Sequence, residues 1–346
     1  MRSIISLAFL HGAAATTKMS HWVDESAICT NGRCKKPPDL QYEWVADIQP
    51  GFQWNDAGGY CGSWASQRAV LAQGAWISQQ AVRDHTENCG GHDEEILSCN
   101  INEAWTNLKI DYEAFDYASA PLPQTDAYFS WLKAQLAVNR VVAWVIMWDG
   151  QNNPIYNLTA PAGMYGHVEP VIGILSNHPL NDTKVYDDDV VAHFTDFGVQ
   201  TVYRPIISLP CDWAGEGEAA DCGDYDYGIG NPYGFGWAAK GFTPDIKQAR
   251  AAPASLHIKP WASEPDTRSG VEPEPLQGTL TARSLTAGIE YDIYRWDSVG
   301  ESFTYQEQYK KASFVATSNT HVYTDDSSFP SDGTTYYRVV QADSKE

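Results

Sequence analysis

Apolar positions along the chain change period twice, and those changes predict its layout. From Ser63 onward Ala65, Ala69, Ala72 and Trp76 recur at three- and four-residue spacing, which predicts a helix over residues 63–80 with one buried stripe. Residues 94–108 and 126–137 carry further amphipathic helical patterns. The run Arg140-Val141-Val142-Ala143-Trp144-Val145-Ile146-Met147-Trp148 is continuously apolar and of strand length, as in a strand buried on both faces. Two more strands are expected over residues 167–175 and 190–197. Helices first and a β-region second give an α+β domain. Near residue 250 the pattern changes again. Pro260, Pro265, Pro273 and Pro275 mark a polar, turn-rich stretch, followed by short β-rich runs over residues 279–285, 291–296, 313–317 and 334–341. Regular short strands of this kind predict a β-sandwich.

Length and composition agree with two units. The chain has 346 residues, 43% of them hydrophobic, with 13 Trp and 19 Tyr to fill cores. Its formal charge of −21, from 23 basic against 44 acidic residues, argues against nucleic acid or an anionic membrane as partner. At the N-terminus, Arg2, the apolar run over residues 4–10 and Ala13-Ala14-Ala15 have the form of a signal peptide cleaved after Ala15, so a secreted protein is expected. No later stretch approaches the roughly 18 apolar residues of a membrane helix. Sequons at Asn157 and Asn181 fit a glycosylated, extracellular chain.

Seven cysteines sharpen the picture. Cys29 with Cys34, Cys89 with Cys99, and Cys211 with Cys222 are close in sequence and are expected as disulfides. Cys61 is left over. It stands in Gly58-Gly59-Tyr60-Cys61-Gly62-Ser63-Trp64, at the start of the expected helix, where the positive end of the helix favours a thiolate. The alternative is a small core residue. A nucleophilic thiol needs a base. Of nine histidines, His167 and His193 lie on strand candidates, and His167 follows Gly163 and Gly166 at what would be a sheet edge. If the turn over residues 179–183 has its tip at Asn181-Asp182, residues summing to 363 face each other. Ile174 then opposes Asp189, Val171 opposes Ala192, and His167 opposes Asp196, a carboxylate placed to orient the imidazole. The alternative has Asp196 merely ending a strand, and a one-residue slip would undo the pairing.

No CxxC or HExxH spacing occurs, Asp187-Asp188-Asp189 lacks the ligand pattern of a calcium loop, and Gly228-Ile229-Gly230 precedes Asn231-Pro232 rather than a helix. No metal or other cofactor is expected.

Gly59-Tyr60-Cys61-Gly62-Ser63-Trp64 resembles the active-site segment of papain-like cysteine peptidases, and the later His and Asp are similar in order to that superfamily and its C39-like branch. The resemblance spans roughly residues 40–245. It implies a two-lobed α+β domain, with a helical lobe carrying the nucleophile followed by an antiparallel β lobe. Cys61 would be nucleophile, His167 base and Asp196 orienting residue, acting through an acyl-enzyme thioester on a peptide or protein substrate. The family's oxyanion-hole Gln falls at Asn55, six residues before Cys61, while Gln53 lies eight before, so the amide role falls to one of the two. The second Cys of the family's Cys-Gly-Ser-Cys-Trp is missing, and after cleavage at Ala15 only 45 residues precede Cys61, too few for the family's long propeptide. Trp237, in a Gly- and aromatic-rich stretch, matches the family's Trp over the histidine or is ordinary core. Residues 285–295 and 333–340 resemble fibronectin type III strands, a spacer or a module for a glycan or surface partner. The expected layout is a signal peptide at 1–15, a papain-like cysteine hydrolase domain at 16–252 and a fibronectin-like sandwich at 253–346. Two other readings share these features: an inactive binding or adhesion protein of the same fold, and a transglutaminase-like acyltransferase.

Overall fold

A computed structural model of the protein describes residues 29–30, 33–34, 36–37, 40–51, 53, 60–86, 98–116, 119–121, 124–149, 164–195, 200–212, 227–231, 235–259, 276–329 and 333–342. The expected signal peptide lies outside them. Strands β1 (Cys29–Thr30) and β2 (Arg33–Cys34) form a small antiparallel pair, and β3 (Tyr42–Val45) leads to helix α1 (Cys61–Leu71). Then come β4 (Ala75–Ile77), α2 (Gln79–Asp84), α3 (Ser98–Asn107), β5 (Ile110–Asp116) and α4 (Gln124–Ala137). The β-region follows with β6 (Val142–Asp149), β7 (Met164–Ser176), β8 (Val190–Thr195), β9 (Gln200–Pro205), β10 (Pro210–Asp212), β11 (Tyr227–Asn231) and β12 (Phe235–Phe242). The last third holds β13 (Ala251–Ala252), β14 (Ala254–Lys259), β15 (Leu276–Arg283), β16 (Glu290–Trp296), β17 (Lys310–Val315), β18 (Thr320–Phe329) and β19 (Thr334–Gln341). The architecture is α+β with mainly antiparallel sheets. Among the described residues no helix is long and apolar enough to cross a membrane.

The large sheet runs β10-β11-β6-β7-β8-β9, with β3 added to β7 and with β12 joining β6 to β5. Its two faces carry different helices. Val168 and Ile172 share a core with Trp64 and Ala65 of α1, whereas Val171, Ile174 and Val191 share one with Tyr128 and Leu132 of α4. Adjacent β7 residues thus point to opposite layers, as the pleat requires.

Two expectations about local structure are corrected. The helix predicted over residues 63–80 stops at Leu71, because Gly74, at φ +80°, closes it with its N–H on the Leu71 carbonyl. Ala75, Trp76 and Ile77 then leave the helical path as β4, paired with Tyr336, Thr335 and Thr334 of β19. Tertiary pairing overrides the local period there. The β7–β8 register also differs from the expected one: Ile174 faces Val191 rather than Asp189, and Val171 faces His193 rather than Ala192. The connection over residues 177–189 is wider than a tight turn, and an extra residue bulges from β7 between Val171 and Gly173. Gly173 suits that place, since a Cβ on it would lie 2.5 Å from the Trp44 carbonyl oxygen of β3.

The C-terminal strands form two sheets, β14-β15-β18 and β13-β19-β16-β17 with β4 on β19. A buried polar group ties them together. Asp325 Oδ2 accepts from Tyr337 Oη at 2.6 Å and from Arg295 Nη1 at 2.9 Å, while Oδ1 accepts from the Ser327 N–H at 2.9 Å. Burial alone would raise this carboxyl's pKa, but these hydrogen bonds outweigh it and hold the group at about 2, below its ordinary 3.8. A depressed folded pKa contributes stability that is complete above the unfolded value and lost as pH falls through the folded one. The pair should therefore contribute about 2 kcal/mol at neutral pH, lost between about pH 4 and pH 2. Urea titrations across that window should show the fall, and Asp325→Asn should flatten it; an unchanged acid slope in that variant would refute the assignment.

Candidate functional site

Cys61 is the first residue of α1, follows Tyr60 and is 7% exposed. It is a free thiol. The start of α1 has no side-chain cap, since Tyr60 offers none and the first turn holds no acid. That leaves the leading N–H groups without a capping side chain from the helix start itself, at the end where the helix is positive. Beside them, the fully buried Ser63 Oγ and Trp64 Nε1 have no hydrogen-bond partner among the described residues. Tyr60 is fixed from α2: its hydroxyl donates to Gln80 Oε1 at 3.1 Å, and the Arg83 guanidinium stacks 3.4 Å over its ring.

Helix α1 packs on β7 through the core that Trp64 and Ala65 share with Val168 and Ile172. Its C-terminal end, at Ala72 and Gln73, lines a cavity with Val45 and Ala46, residues held against Gly173 and Ile172 of β7. Cys61 shares the core of Val168 and Ile172 on one face of the sheet, whereas His167 is paired with Ile146, whose side chain belongs to the core on the other face.

His167 is 5% exposed and lies opposite Ile146 of β6. Its Nε2 is 3.8 Å from Oε1 of Glu169, two residues along the same face. Glu169 is fully buried, and its Oε2 is 2.8 Å from Nδ1 of His193, also fully buried on β8. Arg204 Nε of β9 donates to His193 Nε2 at 3.3 Å. Trp144 of β6 packs against the His193 ring at a centroid distance of 5.4 Å. The acid beside His167 is thus Glu169, from its own strand. Asp196 lies outside the described residues, and the changed register removes the arithmetic that paired it with His167. Glu169 and His193 carry no role in the sequence reading. An acid inside the apolar run over residues 168–175, at even spacing from His167, is the signal that could have found the first of them.

Of the oxyanion candidates, Gln53 is half-buried in the segment leading to α1 and Asn55 lies outside the described residues. Trp237 is buried, and its Nε1 donates to Asn102 Oδ1 of α3 at 2.7 Å, which binds the indole to the helical side. The expected disulfide cysteines are placed only in part. Cys29 and Cys34 are opposite one another in the β1–β2 backbone ladder. Cys99 is carried on α3 and Cys211 on β10, while Cys89 and Cys222 lie outside the described residues. Asn181 is in an exposed turn, and Asn157 lies outside the described residues. No group of three or more His, Cys, Asp or Glu side chains that could hold a metal ion is gathered among the described residues.

No family model matches the chain, and no curated protein does. Two solved structures are similar in outline. A Cys-to-Ala variant of the clostridial cysteine protease Cwp84 after propeptide cleavage is 11% identical with a TM-score of 0.28, over 85% of this chain and 80% of that one. The cysteine protease and lectin-like domains of Cwp84, a surface layer associated protein of Clostridium difficile, are 11% identical with a TM-score of 0.30, over 95% of this chain and 83% of that one.

Proposed function

We propose that this chain is an exported, papain-like cysteine hydrolase acting on peptide or related amide bonds. The observation that carries the reading is the free Cys61 thiol as first residue of α1, a helix start without a side-chain cap. His167 takes the thiol proton, and the thiolate attacks the substrate carbonyl. The new C–S bond forms as the carbonyl electrons move to oxygen. That oxyanion sits at the leading N–H groups of α1, with the Gln53 or Asn55 amide as a further donor. Collapse expels the amine, which leaves with the proton from His167. Water, deprotonated by His167, then cleaves the thioester and restores the thiol.

The test is chemical labelling of the folded protein. Iodoacetamide at pH 6 should modify Cys61 faster than it modifies the same residue in urea, and an epoxysuccinyl peptide should label it stoichiometrically. A thiol that reacts only after unfolding would exclude the hydrolase and assign the fold to a binding protein.

A further inference from the structure

A cavity of about 460 Å³ lies where the C-terminal strands meet the first unit. Its walls come from the end of β3, the residues that follow α1 and α4, β12, and the starts of β13 and β14. Size and place are those of a small-molecule site between two units. The lining carries four cations, Arg140, Lys240, Arg283 and Arg338, against one carboxylate, Asp47. In a chain of formal charge −21 that local excess runs against the whole. A cleft in which one sign of charge predominates concentrates ions of the other.

The four cations are not equally committed to the fold. Arg338 is wall: Nε donates to Asp245 Oδ2 at 2.9 Å, Nη1 to the Gln73 carbonyl at 2.8 Å and Nη2 to Gln248 Oε1 at 3.4 Å. Arg283 donates from Nη1 to Ser255 Oγ at 2.8 Å and from Nη2 to Asp47, and its Nε has no partner among the described residues. Arg140 donates from Nη1 to Gln135 Oε1 at 2.7 Å, with Glu113 Oε2 at 3.5 Å, and its Nε and Nη2 have no partner among the described residues. Lys240 Nζ lies 3.3 Å from Asp111 Oδ1. The side chains of Glu113 and Asp111 are 45% and 46% exposed, and such solvated pairs contribute little and exchange readily. A guanidinium has five donors and an ammonium three. Arg140, Arg283 and Lys240 therefore keep N–H groups for a further acceptor.

We propose that this cavity binds a small organic carboxylate, with its charge held by Arg140 and Arg283, Lys240 as a third cation, and its apolar body on the alanines of the wall. A planar guanidinium matches a carboxylate with two parallel hydrogen bonds, which an amide or an ester cannot return. Ala72, Ala251 and Ala252 are half-buried in the lining, a surface that a bare inorganic anion leaves in water and an aliphatic group covers. The site is independent of the hydrolase reading. It touches α1 only beyond its C-terminal end, about 16 Å of helix away from Cys61. Because Arg140 and Lys240 precede residue 250 and Arg283 follows it, an occupied site ties the C-terminal strands to the first unit.

Three probes test this on the full chain by titration calorimetry and by the thermal unfolding midpoint: N-acetylalanine, its uncharged counterpart N-acetylalaninamide, and sulfate. N-acetylalanine should bind and raise the midpoint at about 10 mM, while the amide at the same concentration should do neither. Arg140→Gln and Arg283→Gln should each weaken N-acetylalanine binding about tenfold, the loss of a charged hydrogen-bond pair. No binding of N-acetylalanine, equal binding of acid and amide, or wild-type affinity in both variants would overturn the proposal. Sulfate bound as tightly as N-acetylalanine would overturn the organic carboxylate and leave a general anion site. Should Arg283→Gln fold poorly once its tie to Asp47 is lost, Arg140→Gln and Lys240→Gln decide, since their pairs are solvated. None of these outcomes bears on Cys61, so the hydrolase reading stands or falls by its own labelling test.

Discussion

Cys61→Ala should abolish turnover of every peptide, amide or ester substrate that the wild type cleaves, a loss of about three orders of magnitude or more. The fold should survive. The side chain is small and 7% exposed, so trimming its sulfur should cost about 1 kcal/mol in a urea titration. Cys61→Ser separates the chemistry from the space. The hydroxyl fits the same volume, but a serine needs stronger activation than a thiol in the same setting, and turnover should fall nearly as far. Covalent catalysis explains the size of the effect, since without the nucleophile there is no acyl-enzyme and only transition-state binding by the remaining groups is left. The start of α1 would still present its uncapped N–H groups to a carbonyl oxygen, so Cys61→Ala should bind substrate with wild-type affinity. Equal turnover by wild type and Cys61→Ala would refute the function proposed here.

Elements of the candidate site were legible in the sequence where the signal was local. Cys61 stands out by its odd count and glycine-flanked place at a helix start, and it begins α1 as a free thiol. The strand bearing His167 followed from an apolar run, and β19 matches the stretch expected at residues 334–341. What failed depended on distant residues. Hairpin arithmetic assumed a tight turn and an unbroken ladder; the wider connection shifts the register by two residues at Ile174, and the bulge before Gly173 takes one back, so Val171 faces His193. Glu169 stayed without a role because its partner His193 comes from β8, and that ring's own partner Arg204 from β9, which has no clear period in the sequence. The short strand β4 is the plainest case. Ala75, Trp76 and Ile77 continue a helical period in the sequence and become a strand only because β19 is there to receive them.

That exchange makes residues 253–346 part of the fold of the first unit, and a chain ending at Ala252 should not fold as a stable domain. Ala75, Trp76 and Ile77 are all buried, and their hydrogen-bonding edge is matched by Thr334, Thr335 and Tyr336. Further bonds cross the same boundary. Tyr336 Oη donates to the Leu108 carbonyl at 3.0 Å, the Tyr337 N–H to the Gly74 carbonyl at 2.9 Å, and Arg338 Nη1 to the Gln73 carbonyl at 2.8 Å. Arg338 Nε also donates to the buried Asp245 carboxylate at 2.9 Å. Truncation would expose Trp76 and Ile77 at about 1.5–3 kcal/mol for each large side chain. It would also leave Asp245 without its guanidinium, at about 3–5 kcal/mol for a buried pair broken on one side. Those losses together approach the whole stability of a typical domain, about 5–15 kcal/mol. They also leave β4 as an unpaired apolar edge open to aggregation. The 16–252 fragment should therefore be insoluble or lack a cooperative urea transition, while the 16–346 chain unfolds in one step. Arg338→Ala in the full chain is the milder form of the same break and should lower stability by about 3 kcal/mol or more. A soluble 16–252 fragment with the urea midpoint of the full chain would show that the shared sheet contributes nothing to holding the first unit together.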